Sequence, residues 1–143
     1  MTIARIMENR SGEIISARSD ESVRAVVARL AEHRIGAVPV LDDEGAVLGI
    51  FSERDLVYCI AAKGDAAFDL RVAEAMTAPA VSATSDTGAL AALSLMSKRR
   101  IRHLPVIEGG SMVAFVSIGD LVKYRIDKIE AEAEGMRQYI QAV

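Results

Sequence analysis

The sequence predicts an α+β fold in which two β-α-β-β-α repeats pack about a pseudo-two-fold axis and a C-terminal helix follows. Three segments occur twice in the same order: SARSD (16–20) and SATSD (82–86), RIGAVPV (34–40) and RIRHLPV (100–106), SERDL (52–56) and SIGDL (117–121). The first two pairs share one offset, and the third differs from it by a single residue. Ordered repetition at a nearly constant offset indicates a duplicated structural unit.

The duplication divides the chain into four parts, namely a unit at 1–62, a linker at 63–71, a unit at 72–123 and a helical tail at 124–143. The chain has 143 residues, of which 51% are hydrophobic, so it has enough apolar surface for a buried core. One unit is too small to cover both faces of its own sheet. The two units are therefore expected to pack against each other.

Each unit begins with a short strand and a helix. Apolar residues after SARSD and SATSD have the i, i+3, i+4, i+7 spacing of one helix face. They are Val23, Val26, Val27 and Leu30 in the first unit and Ala89, Ala92, Leu93 and Met96 in the second. Asp20 and Asp86 precede these helices and are predicted as their N-caps.

A β-hairpin and a second helix complete each unit. The apolar runs VPVL and VLGIFS are separated by turn residues in the first unit, as are LPVI and VAFVS in the second. Two such runs around a turn predict a hairpin. The second helix is expected to start after Ser52 in the first unit and after Ser117 in the second.

Composition excludes several classes of protein. The net charge of −3 argues against a protein that mainly coats nucleic acid. No run approaches the roughly 18 apolar residues that span a bilayer, so no membrane interaction is expected. The start lacks a segment of signal-peptide length, and the sequon Asn9-Arg10-Ser11 is therefore interpreted as a chance match. Cys59 is the only cysteine, which favours a reducing, cytoplasmic location.

The three duplicated motifs also carry a family resemblance. Over residues 1–123 the chain resembles a tandem pair of CBS (cystathionine-β-synthase) domains, with the SATSD-type entry, the RIRHLPV segment and the SIGDL segment in order and repeated. A single Ser-x-x-Asp motif is weak evidence, whereas three ordered motifs occurring twice are strong evidence. The resemblance implies a regulatory module whose cleft binds an adenine nucleotide: AMP, ADP, ATP, an NAD-like molecule or an S-adenosyl compound.

The repeated Ser-x-x-Asp motif has two interpretations. A Ser followed three residues later by an acidic residue at a helix start is typical of a capping box, which satisfies free backbone amides. The same helix N-terminus is also a suitable site for a phosphate. A carboxylate one turn into the helix can accept both hydroxyls of a ribose. The two roles are compatible, because a ligand can replace part of the cap.

The resemblance assigns binding roles to residues of both units. It implies that Asp55 and Asp120 hold ribose hydroxyls and that Ser52 and Ser117 approach phosphate. Residues of the hairpin strands, through their backbone groups, and of the entry strands are expected around the adenine. They are Ser16, Val38, Pro39, Ser82, Thr84, Leu104 and Pro105.

Basic residues distinguish the two expected sites. The resemblance implies that Arg102 and His103 turn toward phosphate, while Gly36 and Ala37 stand at the matching positions of the first unit. Arg54 is expected to compensate in part, because it lies at a helix N-terminus. The two sites are therefore expected to be unequal. Lys98 and Arg99 are interpreted as solvated residues that complement a helix C-terminus.

Neither catalysis nor a bound metal is predicted, and no catalytic cofactor is expected. His33 and His103 together with one cysteine give no metal-ligand spacing. A phosphate-cradling G-x-x-x-x-G-K-[ST] segment and a G-x-S-x-G nucleophile motif are both missing from the sequence. Cys59 lies in the apolar run LVYCIAA and is interpreted as a buried core thiol.

The tail has an apolar pattern of its own. Its apolar residues are spaced 3, 4, 3, 4 and 3 apart, which is the a/d seam of a coiled coil. They are Ile126, Ile129, Ala133, Met136, Ile140 and Val143. A homodimer is expected, to which the tail contributes. The alternative is a helix that folds back on its own domain.

Three functions remain open at this point. The first is a stand-alone regulatory module that binds an adenine nucleotide and acts on an unidentified protein partner by a change of conformation or affinity. The second is a structural or interaction module whose cleft stays empty. The third, and least supported, is nucleic-acid binding through the basic segment 98–103, which the acidic net charge opposes.

Overall fold

The predicted α+β architecture, with two repeats and a C-terminal helix, is confirmed by the structure, a computed structural model that describes residues 2–8 and 12–142. The helices are α1 (Ile3–Met7), α2 (Val23–His33), α3 (Glu53–Lys63), α4 (Val72–Ala75), α5 (Ala89–Arg99) and α6 (Ile118–Ala142). The strands are β1 (Ala17–Arg18), β2 (Ala37–Leu41), β3 (Val47–Ser52), β4 (His103–Glu108) and β5 (Ser111–Ser117). A 3-10 helix (Gly64–Asp69) follows α3. The sequon at 9–11 lies outside the described residues.

The first unit forms a three-stranded sheet in the order β1-β2-β3. β1 is parallel to β2, and β2 and β3 form the predicted antiparallel hairpin. Ala37 pairs with Ser52 at one end of this hairpin, so the motif serine lies where the sheet ends and α3 begins. The sheet thereby fixes the position of the helix N-terminus.

The second unit repeats the hairpin but has almost no entry strand. β4 and β5 pair antiparallel, with His103 opposite Ser117. The strand predicted near SATSD is reduced to one parallel bridge between Ala83 and Val106. Ala83 donates to the Pro105 carbonyl at 2.9 Å and accepts from Ile107 at 2.8 Å. The sequence prediction of a full strand was wrong here, since only one residue makes ladder bonds.

The predicted apolar helix faces are confirmed, but both predicted N-caps were wrong. Val23, Val26 and Leu30 of α2 are buried, as are Ala89, Ala92 and Met96 of α5. α2 is capped by Ser22, whose hydroxyl accepts from the Ala25 amide at 3.1 Å. α5 starts after Gly88, which has no side chain to cap it. Both helices begin later than Asp20 and Asp86 would require.

The two units exchange their leading helices, α1 and α4. Ile3 of α1 is fully buried in the core of the second unit, together with Met96, Leu104 and Val116. Val72 of α4 is fully buried in the core of the first unit. Each core is therefore completed by the short helix that precedes the other unit in the chain.

Backbone hydrogen bonds fasten this exchange at equivalent places. The Ile3 amide donates to the Thr87 carbonyl at 2.9 Å, and the Val72 amide donates to the Glu21 carbonyl at 2.8 Å. Both acceptors lie just before a long helix, α5 or α2. The sequence indicates that the two helices are equivalent, because IARIM at 3–7 resembles VAEAM at 72–76. The reciprocity is what a pseudo-two-fold arrangement requires.

The tail continues α6 without a break and does not fold back. α6 is 25 residues long, and Leu121 is its only buried residue. Four seam side chains are exposed, with relative exposures of 49% for Ile126, 48% for Ile129, 61% for Met136 and 67% for Ile140. Ala133 is half-buried, and Val143 lies outside the described residues. Within the described ranges, no helix combines the length and the apolar character that crossing a bilayer needs.

The exchange of α1 makes a testable prediction. Ile3→Ala should lower the free energy of unfolding by about 2–5 kcal/mol, because it leaves a cavity in the core of the second unit. Arg5→Ala, on the exposed side of the same helix, is the control and should change stability by less than about 0.5 kcal/mol. Urea unfolding followed by circular dichroism measures both. Equal effects of the two substitutions would contradict a structural role for α1.

Candidate functional site

The motif Ser52-x-x-Asp55 forms a capping box at the start of α3. The Ser52 amide and hydroxyl donate to Oδ2 of Asp55 at 2.9 and 3.0 Å. The Asp55 amide donates back to the Ser52 hydroxyl at 3.4 Å. Both donors at the helix start are thus satisfied within the motif, as the capping interpretation predicts.

Ser117 and Asp120 make the same arrangement at the start of α6. The Ser117 amide donates to Oδ2 of Asp120 at 2.8 Å, and the Asp120 amide donates to the Ser117 hydroxyl at 3.1 Å. The repeated motif therefore starts two helices in the same way. These bonds fix the position of each carboxylate. They therefore also fix the direction from which another donor can reach it.

Thr77 adds a further contact to the first motif. Its hydroxyl donates to Oδ1 of Asp55 at 2.7 Å. Thr77 also pairs with Ile50 through two backbone bonds of 2.9 Å, which place it beside the edge of β3. This close approach requires Gly49, because a Cβ on that residue would lie 2.6 Å from the Thr77 carbonyl oxygen. The segment after α4 is thereby fixed against the first sheet.

A cavity of about 590 Å³ lies between the two units at the start of α3. The first unit contributes the loop before β2 and the first turns of α3 to its wall. The second unit contributes the segment 77–81 after α4 and the segment 100–103 after α5. Five of the residues predicted as ligand contacts line it: Ser52, Arg54, Asp55, Arg102 and His103.

The cavity wall carries several cationic groups. Arg54, Arg100 and Arg102 line it, while the carboxylates in the wall belong to Glu53 and Asp55. Arg54 donates to the Arg100 carbonyl at 3.2 Å, a contact that joins the two units. The structure thus brings the basic residues of the second unit to the helix N-terminus of the first. Such a wall favours an anionic ligand.

His103 lies between the starts of the two motif helices. Its ring stacks on Phe115, with 5.3 Å between ring centroids and 13° between ring planes. Burial lowers the pKa of His103 below its ordinary value, and the Arg102 charge lowers it further. Asp120 and Glu53 raise this pKa, but burial has the larger effect. His103 is therefore neutral at pH 7.

The remaining predicted ligand residues lie elsewhere. Ser117 and Asp120 are not among the described residues that line the cavity. The hairpin residues are buried in the strands, where their side chains face away from solvent. They are Val38, Pro39, Leu104 and Pro105. Ser82 is exposed, and the Thr84 amide bonds the Thr87 hydroxyl at 3.1 Å in the turn before α5.

The Ser16 carbonyl has a structural partner. It accepts from Nη1 of Arg29 at 2.9 Å, and Arg29 also bonds both carboxylate oxygens of Glu21 at 2.9 and 2.6 Å. The hydrogen bond from Arg29 lowers the pKa of Glu21. This network ties the chain before β1 to α2, which gives Ser16 a role in the fold.

Several cavity residues were missed by the sequence reasoning. Thr77 and Tyr58 are among them, together with the apolar residues Val57, Val81 and Ile101. Val57 and Tyr58 directly follow the SERDL motif, one helical turn after Glu53 and Arg54, so helical spacing was the available signal. Thr77 lies just after α4 in the second unit and has no local signal, because its position depends on the contact with β3.

Other chemistry is not supported by the described residues. Within 2–8 and 12–142, no group of three or more His, Cys, Asp or Glu side chains is placed to hold a metal ion. Cys59 is half-buried on α3, a helix with no fully buried residue, so its interpretation as a core thiol was wrong. α3 packs over the 3-10 helix and keeps one side toward solvent.

Comparison with known proteins identifies the repeated unit. The family model of the CBS domain matches residues 3–62 and 72–127. A CBS-domain-containing protein of Agrobacterium tumefaciens has the same fold, with a TM-score of 0.82 and 35% identity over 87% of this chain and 92% of that one. The mitochondrial CBS domain-containing protein CBSX3 of Arabidopsis thaliana is 31% identical over 98% of this chain and 72% of its own length.

Two further similarities concern larger or ligand-bound proteins. The chain is 35% identical to inosine-5'-monophosphate dehydrogenase of Mycobacterium tuberculosis over 111 residues, but it spans only 20% of that enzyme. CBSX2, solved in complex with AMP, has the same fold at 22% identity and a TM-score of 0.76, over 88% of this chain and 96% of that one.

The buried position of His103 predicts a pH-dependent stability. As the pH falls through about 6.5, the unfolded chain takes up a proton at this residue while the folded protein does not. The free energy of unfolding should therefore decrease with falling pH. In His103→Gln this decrease should be smaller, because the variant has no imidazole to protonate at this position. Urea unfolding between pH 8 and pH 5 measures it. The control His33→Gln, at an exposed residue, should follow the wild type; identical profiles for both variants would refute the assignment.

Proposed function

The chain belongs to the CBS-domain family, and from this premise we propose that it is a regulatory module that binds an adenine nucleotide in the cavity between its two units. The observation that carries the proposal is the meeting of a helix N-terminus with three arginines in one cavity of about 590 Å³. This volume is within the range of small-molecule and cofactor sites. The proposed ligands are AMP, ADP, ATP, an NAD-like molecule or an S-adenosyl compound.

The phosphate is assigned to the start of α3. The positive end of the helix and the side chains of Arg54 and Arg102 provide the compensating charge there. Ser52 lies at the same helix start and His103 beside it. His103 is neutral at pH 7 and would act as a hydrogen-bond partner of the ligand. Arg102 is the stronger candidate for direct charge compensation, because a guanidinium can bind two phosphate oxygens at once.

The ribose is assigned to Asp55. A carboxylate has about four acceptor positions on its two oxygens, and Oδ2 of Asp55 is directed to Ser52. Oδ1 accepts from the Thr77 hydroxyl at 2.7 Å. A ribose hydroxyl would share Oδ1 with Thr77 or replace it. Thr77 would then also control how readily the site accepts a sugar.

The adenine is assigned to the apolar wall of the cavity. Val57, Tyr58, Val81 and Ile101 provide apolar surface within reach of the helix start. Tyr58 has a relative exposure of 65%, so its ring is accessible to stack on a base. This assignment differs from the sequence expectation, which placed the adenine against the hairpin strands at Val38 and Leu104.

A second, weaker site is proposed around α6. Ser117 and Asp120 repeat the capping box of the first site, and the sequence expectation adds Ser82, Thr84, Leu104 and Pro105 from the same unit. Ser16, Val38 and Pro39 are the corresponding expectation for the first unit. CBSX2 holds AMP on the same fold, which supports an adenosine ligand at the level of fold analogy.

We propose that ligand binding is regulatory and that the chain has no turnover of its own. The module would act on a protein partner through a shift of conformation or affinity. The nucleic-acid alternative is less well supported, because Arg100, Arg102 and His103 of the segment 98–103 line the cavity. A reducing, cytoplasmic location agrees with the single free cysteine, Cys59.

A homodimer is also proposed. Exposed apolar side chains are concentrated on α3 and α6, including Ile60, Val122 and Ile126. Exposed apolar side chains concentrated in this way are typical of protein interaction sites. A second copy of the chain can cover it without any additional component.

The charge of the cavity wall predicts how AMP binding responds to substitution. Arg102→Ala should weaken binding roughly ten- to a hundredfold, because the loss of a charged hydrogen bond costs about 1.5–3 kcal/mol. Arg99→Ala removes the same charge from the exposed end of α5 and should leave affinity nearly unchanged. Isothermal titration with AMP measures both. If the wild type binds none of AMP, ADP, ATP, NAD and S-adenosylmethionine, the alternative of a structural or interaction module with an empty cleft replaces this proposal.

The two capping boxes provide a matched pair for the ribose assignment. Asp55→Ala and Asp120→Ala should each cost about 0.5–2 kcal/mol of stability, since each removes one helix cap. Only Asp55→Ala should also weaken the tighter AMP binding event, by about ten- to a hundredfold. Urea unfolding and isothermal titration separate the two effects. Lower stability with unchanged affinity in both variants would mean that the motif acts only as a cap.

A further inference from the structure

From Val122 to Ile140, α6 carries an exposed apolar seam that the nucleotide site does not use. Its large apolar side chains are 41–67% exposed. They are Val122, Ile126, Ile129, Met136 and Ile140. Ala133 completes the 3-4 spacing, so Ile126, Ala133 and Ile140 occupy heptad position a and Val122, Ile129 and Met136 occupy position d. We name these six residues the tail seam.

The tail seam needs a partner to be stable as a helix. Apart from the first turns around Leu121, the described part of α6 has no buried residue that packs it on its own domain. Most of the stability of a helix in a protein comes from the packing of its apolar face, which this part of α6 lacks, and Gly135 weakens it further. A facing helix with the same seam would bury the apolar side chains of both.

The charges beside the seam select the orientation of that facing helix. Arg125 and Glu132 occupy position g, and Glu130 and Arg137 occupy position e. In a parallel, in-register pair of helices, each g residue lies beside the e residue of the next heptad on the other helix. Arg125 then faces Glu130 of the second copy, and Glu132 faces Arg137. Both contacts join opposite charges, and symmetry makes each of them twice.

An antiparallel pair with the seams fully overlapped has the opposite electrostatics. Position e then faces e, and position g faces g. Glu130 lies beside Glu130 of the second copy, Glu132 beside Glu132, and Lys123 beside Arg137. All of these contacts join like charges, which are unfavourable at short distance.

We propose that residues 122–140 form a parallel, in-register two-stranded coiled coil with the same segment of a second copy of this chain. The proposal rests on the homodimer proposed above and specifies its tail contact and orientation. The interface is independent of the nucleotide cavity, so it is expected in the absence of any ligand. It places the two modules at the same end of the coiled coil.

A charge-exchange experiment tests the orientation. Arg125→Glu alone and Glu130→Arg alone each create like-charge contacts in the parallel pair, and each should raise the dimer dissociation constant roughly tenfold. The double variant R125E/E130R restores opposite charges and should return close to wild type. Sedimentation equilibrium measures all four proteins without nucleotide. In the antiparallel pair Glu130→Arg exchanges one like-charge contact for another, so an absence of rescue would overturn the proposal.

A cross-linking experiment tests the register by a different readout. In a Cys59→Ser background, Ile140→Cys introduces one cysteine at position a near the end of the seam. Parallel, in-register helices place this residue beside its own copy, so mild oxidation should give a disulfide-linked dimer. Gln138→Cys, on the opposite side of the helix, should not cross-link.

The possible failures are distinguishable. A wild-type dimer that neither charge variant weakens, and that Ile140→Cys does not cross-link, would assign the interface to another surface and overturn the proposal. A monomeric wild type would overturn the proposal together with the homodimer. Neither result bears on nucleotide binding, which titration with AMP measures separately.

Discussion

The exchange of the leading helices is the interaction on which the other features of the structure depend. Ile3 completes the core of the second unit, and Val72 completes the core of the first. Because each unit lacks part of its core without the other, neither is expected to be stable by itself. The same exchange holds the two units in one relative position. That position brings the start of α3 against the segment 100–103 and thereby creates the cavity.

Capping and ligand binding use the same atoms in this fold. Ser52 and Asp55 satisfy each other's backbone amides at the start of α3, and this bonding holds the Asp55 carboxylate in place. A preorganised carboxylate loses little freedom when it accepts a ribose, so the cost of binding is lower. The cap is therefore a support for the proposed site and not a competing explanation of the motif.

Duplication has given two units with unequal surroundings. Gly49 allows Thr77 to approach β3 and to bond Asp55, whereas Ala114 stands at the matching position of β5 and carries the Cβ that this approach excludes. His103 occupies one hairpin start and Ala37 the other. One cavity therefore combines an aspartate from the first unit with basic residues from the second. The sequence suggested that the basic residues would strengthen the site of their own unit. In the structure they line the same cavity as the aspartate of the other unit.

The sequence by itself determined the repeated unit, the helix faces, the hairpins and the capping motifs, because each depends on residues close together in the chain. It gave the wrong N-caps for α2 and α5, and it treated α1 as part of the first unit. Only the tertiary structure placed α1 in the second core and brought Thr77 to Asp55. It reduced the entry strand of the second unit to the single bridge at Ala83. It also decided that Arg102 faces α3, since packing between distant segments sets which surfaces meet. Local patterns specify helices and strands, but the cavity exists only where the two units come into contact.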